Sequence, residues 1–128
     1  MTEAVEDDLL ESPSDAVVNR MINDFARVVM ATYRDRLSSI YLFGSRARGD
    51  HTRDSDADIA VVLADRGFDF WTEKMRLADL EYDFIVETGA EPQAWPVREC
   101  EWLNPDRHRN PQLIKAMKRD GRRIEVSE

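Results

Sequence analysis

Apolar residues recur at helical spacing early in the chain. Val17, Val18, Met21, Ile22, Phe25, Val28 and Val29 form one stripe, with Arg20, Asn23, Asp24 and Arg27 between them. Pro13-Ser14-Asp15 precedes the stripe and makes Ser14 the expected N-cap of a long amphipathic helix ending near Leu37. The period then changes to two. Over Ser38 to Phe43, Ile40 and Leu42 fall on one face and Tyr41 and Phe43 on the other, which predicts a strand. Gly44-Ser45 ends it. Arg46 to Gly49 suits a single helical turn and Asp50 to Ser55 a loop. Ile59 to Leu63 is apolar at every position, the mark of a strand covered on both faces.

Asp65-Arg66-Gly67 is a turn signal. A second helix is expected from about Asp69 to Glu87, with Phe70, Leu77, Leu80 and Phe84 on one stripe and Gly89 just past its end. Glu91 to Val97 carries Pro92 and Pro96, which confine such a segment to a sheet edge. A short helix around Glu99 to Trp102 and a polar loop from Asn104 to Asn110 follow. Asn110-Pro111 then opens a last helix running to about Asp120. Arg123 to Val126 suits a final short strand. The expectation is an α/β (α+β) fold: a small mixed β-sheet with helices packed mainly on one face. Residues 14–128 form the domain, and residues 1–13 are an acidic, flexible tail.

Composition narrows the function classes. The 128 residues carry a net charge of −8, which argues against nucleic acid as a partner. The acids are unevenly spread: residues 1–15 hold six acids and no base, and residues 98–128 hold eight bases and six acids. No apolar run is long enough to span a bilayer, and no secretory signal is evident, so a cytoplasmic protein is expected. Cys100 is the single cysteine and suits a reducing compartment. With only His51 and His108 beside it, a zinc cluster has no ligand set.

The candidate chemistry lies between the two strands, in YLFGSRARGDHTRDSDADIAVVL from Tyr41 to Leu63. If the second strand begins at Ala57, Asp56 and Asp58 share one face near its start. Two carboxylates pointing the same way suit a hard divalent cation. The Gly44-Ser45 turn offers backbone N–H groups and a hydroxyl to phosphate oxygens.

Gly44-Ser45, ten further residues and then Asp56-Ala57-Asp58 resemble the signature of the polymerase-beta-like nucleotidyltransferase superfamily. The GSRARGD wording and the order of elements look most like its minimal nucleotidyltransferases. Some of these are antitoxins that transfer AMP onto a tyrosine of a HEPN-domain toxin. The resemblance covers roughly residues 14–97. It implies a triphosphate held by Gly44 and Ser45, with Arg46 and Ser55 as further nucleotide-binding residues, and Mg²⁺ on Asp56 and Asp58. Those two aspartates and Glu91, the candidate third carboxylate, would be catalytic. Glu91 departs from the pattern, because Pro92-Gln93 follows it in place of an apolar run.

What the resemblance implies is transfer of AMP from ATP to an external acceptor, most simply a protein partner of HEPN type, by a protein able to form oligomers. A chain of this length has little room for a substrate domain, so the acceptor has to dock. Two alternatives stand beside this reading. One is a small-molecule transferase of the aminoglycoside type. The other is a non-catalytic nucleotide-binding or toxin-neutralising module.

Overall fold

A computed structural model describes residues 12–126; the acidic segment expected over residues 1–13 lies almost wholly outside them. The first helix, α1 (Asp15–Tyr33), starts where Ser14 Oγ accepts a hydrogen bond from the Val17 N–H at 3.3 Å. It stops four residues short of the expected Leu37. The backbone at Arg34 turns to φ 53°, leaving the helical path, and Arg34–Arg36 form one 3-10 turn. That redirection lets Leu37 join the sheet, where it packs against the core.

Strand β1 (Leu37–Phe43) leads to the one-turn helix α2 (Ser45–Arg48) and on to β2 (Ala57–Leu63). Helix α3 (Phe70–Thr88) connects β2 to β3 (Pro92–Arg98). Helix α4 (Glu99–Leu103), a 3-10 turn at Pro105–Arg107, helix α5 (Pro111–Asp120) and β4 (Arg122–Arg123) complete the described chain. The sheet order is β3-β2-β1-β4; β1 runs antiparallel to both β2 and β4, and β2 is parallel to β3. The mixed sheet and its helices bear out the expected class. The final strand, expected over Arg123 to Val126, is a two-residue pairing at Arg122–Arg123. Beyond it, Ile124 still donates its N–H to the Ile40 carbonyl at 2.9 Å, and Ile124 and Val126 pack on the core.

The period of two divides the hydrophobic residues between the sheet's faces. Ile40, Ile59, Val61, Leu63 and Ala94 face the two long helices, meeting Val18, Ile22, Phe25 and Val29 of α1 and Leu77 of α3. Phe25 and Phe84 meet edge to face, with ring centroids 5.5 Å apart, and bind the two helices to each other. Ala60, Val62 and Val97 face the other way, under Trp102 of α4 and Ile114 and Met117 of α5. The long helices thus share one face as expected, and the two short ones cover part of the second. Strand β2 is buried along most of its length, which is why it reads as continuously apolar.

Strand β3 is an edge, and its free side offers almost nothing to a further strand. Glu91 and its alternate neighbours turn their backbone groups to β2, since Glu91 O accepts from Ala57 N at 3.0 Å. The outward positions are therefore Pro92, Ala94, Pro96 and Arg98. The prolines have no N–H. At Ala94 the N–H is taken by Glu81 at 2.8 Å and the carbonyl by Lys74 at 2.7 Å, both from α3. Proline and side-chain capping together blunt the edge. The core makes its own prediction. Phe25, fully buried against Phe84, should cost about 3–5 kcal/mol when cut to alanine. Denaturant unfolding of Phe25→Ala measures this directly.

Candidate nucleotide and metal site

The site forms where β1 ends beside the start of β2. Phe43 pairs with Asp58 across the two strands, so the next residue, Gly44, passes the Asp58 carboxylate. Gly44 has φ 74° and ψ −157°, a conformation nearly restricted to glycine. A Cβ there would sit 2.5 Å from Asp58 Oδ2. Backbone geometry and side-chain proximity thus both demand glycine. The Gly44 carbonyl accepts from the N–H groups of Ala47 and Arg48, each at 3.1 Å, which winds the turn α2. Gly49, at φ 86°, ends it. Ser45 opens this turn, at the end of β1 nearest Asp58.

The loop from Asp50 to Ser55 is held from inside by Arg46. Its buried guanidinium donates to the carbonyls of Ser55 at 2.9 Å, Arg53 at 3.3 Å and Thr52 at 3.4 Å, and to Asp15 at 3.3 Å. His51 Nε2 lies 3.2 Å from the same Asp15 carboxylate. Those two partners, His51 foremost, hold Asp15 below the usual carboxylate range. Ser55 Oγ accepts from Thr52 N at 3.0 Å. Arg46 and Ser55, expected to touch nucleotide, therefore spend their side chains on loop structure. A tight loop leaves carbonyls which an internal donor satisfies.

Asp56 stands immediately before β2 and Asp58 is its second residue, as the alternation predicted. Burial raises the Asp58 carboxyl above its ordinary range; Asp56 adds to the rise and Arg48 opposes it. Glu91 sits one residue before β3, beside Asp56. Its carboxyl is raised first by a hydrogen bond with Asp56, then by burial and by the charges of Asp56 and Glu81. The position facing Asp58 across β2 and β3 belongs to Gln93. Among the described residues, no three histidine, cysteine or acidic side chains converge on one point as a metal site. Glu91 is thus near the pair without closing it.

Two hard carboxylates fit Mg²⁺, which keeps several waters and completes its shell with substrate phosphates. Burial first and then the charge of Asp56 raise Asp58, and a hydrogen bond with Asp56 first raises Glu91, so positive charge at this point would lower both. Arg48 is the last residue of the turn α2. The structure ties it to Asp50 at 3.2 Å and to Asp120, at the end of α5, at 3.0 Å. Only the folded chain brings Asp120 here, and no spacing in the sequence signals it.

The site is open. The cavity beside Asp56 and Glu91 is only about 110 Å³, and a larger one, about 640 Å³, lies elsewhere, between α1, the start of β1 and residues Arg123–Val126. Geometry and donor chemistry, not cavity size, single out the carboxylates.

A family model described as a nucleotidyltransferase domain matches residues 22–114. The chain belongs to this family. A Methanocaldococcus jannaschii protein provisionally assigned as a protein adenylyltransferase is 33% identical over 83 residues, 65% of this chain and 82% of that protein. The fold of this nucleotidyltransferase domain is shared with a provisionally assigned nucleotidyltransferase from Sulfolobus solfataricus. The TM-score is 0.56 and the identity 22%, over 85% of this chain and 80% of that one. A toxin–antitoxin structure with AMP-PNP aligns with a TM-score of 0.52 at 19% identity, over 83% of this chain and 74% of that one. No helix among the described residues is long and apolar enough to cross a membrane.

Two measurements test the site without any reaction. Gly44→Ala should destabilise the fold by about 1–3 kcal/mol from backbone strain alone and should abolish any Mg²⁺-dependent rise in melting temperature. Asp58→Asn should act in the opposite sense on the metal-free protein. Because the folded-state pKa of Asp58 is raised, the native state favours the protonated form. Its stability contribution is present at acid pH and is lost as pH rises through the unfolded and then the folded value. Above both values the penalty is complete, so Asp58→Asn should raise the metal-free melting temperature there and flatten its fall across the titration range.

Proposed function

We propose that this chain is a Mg²⁺-dependent nucleotidyltransferase that moves AMP from ATP to a hydroxyl of a partner protein. The partner we favour is a toxin of HEPN type modified on tyrosine, which makes this chain an antitoxin. The observation that carries the proposal is the Asp56–Asp58 pair set against the Gly44-Ser45 turn. The provisional protein adenylyltransferase assignment of the archaeal relative and the AMP-PNP in the structural neighbour support the nucleotide and the acceptor class.

In the reaction, the acceptor oxygen attacks the α-phosphorus, the bond to the bridging oxygen breaks, and pyrophosphate leaves. Mg²⁺ on Asp56 and Asp58 would supply positive charge to the phosphate oxygens as that bond changes hands. Gly44 and Ser45 position the phosphates by presenting backbone N–H groups close to the carboxylates. Glu91 is exposed at the rim, and its raised pKa suits a group that accepts the acceptor's proton. Arg46 acts one step back, fixing the loop that delivers Asp56. The acceptor has to be external, because the described residues form one sheet with no second lobe over the carboxylates.

One observation favours a second reading. Gln93 occupies the position facing Asp58, and Glu91 does not close the carboxylate pair, so nucleotide binding without transfer is the rival. A single experiment separates the two. The protein is incubated with α-labelled ATP, Mg²⁺ and a HEPN-type partner protein. Label on the partner, falling on the order of 100-fold or more in Asp56→Asn, is the expected result. Tight complex formation with unlabelled partner would establish the non-catalytic module instead.

A further inference from the structure

Helix α3 is apolar on two sides. Its inner side, with Leu77, Leu80 and Phe84, packs on the sheet and α1. On the outer side Trp71, Met75, Tyr82 and Val86 are 70%, 62%, 66% and 65% exposed. Their spacing of four, seven and four residues places them in one row, with exposed Ala78 near its middle. Neighbouring α1 covers the same sheet face yet turns Asn19, Arg20, Asn23 and Arg27 outward. A helix with a second apolar row has a surface left to bury.

We propose that a second copy of this chain covers that row, the two α3 helices packing antiparallel about a two-fold axis. The spacing reads the same in both directions, so an antiparallel copy meets it in register. Trp71 then lies against the other copy's Val86, large against small, and Met75 against its Tyr82, a favourable sulfur–aromatic pair. Ala78 falls at the crossing, where a small side chain lets the helices approach.

Charge supports the same orientation. The first half of α3 carries Glu73, Lys74 and Arg76: Glu73 is buried, Lys74 is bound to the Ala94 carbonyl, and Arg76, paired with Glu73, keeps much of its side chain exposed. The second half carries Glu81, engaged with the Ala94 N–H, and the exposed Asp79, Asp83 and Glu87. Antiparallel packing sets Arg76 against the other copy's acidic half, whereas parallel packing sets acid on acid. The row exposes roughly 500 Å² of apolar surface per copy, at the area expected for aromatic side chains. A stable interface needs roughly 800 Å² per partner, so the charged flanks supply the remainder as its rim. Asp58 lies on the sheet face of Ala60 and Val62, opposite α3, so the pairing leaves the carboxylates accessible.

This inference stands apart from the transfer reaction, and its test involves no nucleotide. Sedimentation equilibrium of the full chain across the micromolar range should give a reversible dimer. Tyr82→Glu should weaken it roughly 30-fold or more, as a hot-spot substitution does, with an unchanged melting temperature for the monomer. Met75→Glu should act alike, and Asn23→Glu on α1 should leave the dimer intact. A wild-type chain that stays monomeric throughout, its row then serving a different protein, would overturn the proposal. So would a dimer that survives both α3 substitutions.

Discussion

The Asp58 carboxylate rests against the backbone of Gly44, at a distance that no side chain on that residue would permit. The rest of the site depends on this approach. It fixes where β1 may end, because the chain has to reach a glycine-only conformation one residue after Phe43 pairs with Asp58. It also fixes what the turn can offer. The turn α2 begins at Ser45, immediately after the glycine that the Asp58 carboxylate rests against. In the proposed reaction a phosphate would bridge this turn and the cation.

The same arrangement is electrostatically uncomfortable when empty of positive charge. Asp58 is half-buried beside Asp56, Glu91 shares a hydrogen bond with Asp56, and only Arg48 offsets the repulsion. The fold tolerates this because the surroundings are rigid. β2 is buried between neighbours on both sides, Arg46 locks the loop that leads into it, and Arg48 ties the turn to the end of α5. Stability is held away from the site, and a cation there, as proposed, would relieve the carboxylates. Its shallowness has a complementary meaning. A triphosphate on an open surface stays accessible to a docked hydroxyl.

Much of this was legible in the chain itself. Ser14, Asp69 and Asn110 cap the three principal helices through their own side chains, a local interaction that short-range rules capture. The alternation in Ile40 to Phe43 assigned each side chain to its correct face, and the prolines of β3 announced an edge. The failures share one cause, which is contact between residues remote in sequence. The end of α1 is set by where Leu37 must enter the sheet. That Arg46 holds the loop from inside is seen only once the loop has folded around it. Glu91 and Gln93 acquire meaning only from the β2–β3 register. Spacing found the Asp56–Asp58 pair, and no spacing reveals what stands across from it.

The central claim is that the Gly44-Ser45 turn and the two aspartates act together as one metal–nucleotide site. Amide chemical shifts of the isotopically labelled protein, titrated with a non-hydrolysable ATP analogue with and without Mg²⁺, test this most directly. The largest shifts should fall on Gly44, Ser45 and residues 56–58 and should require Mg²⁺. Shifts centred instead on the larger cavity between α1 and Arg123–Val126, or indifferent to Mg²⁺, would contradict it.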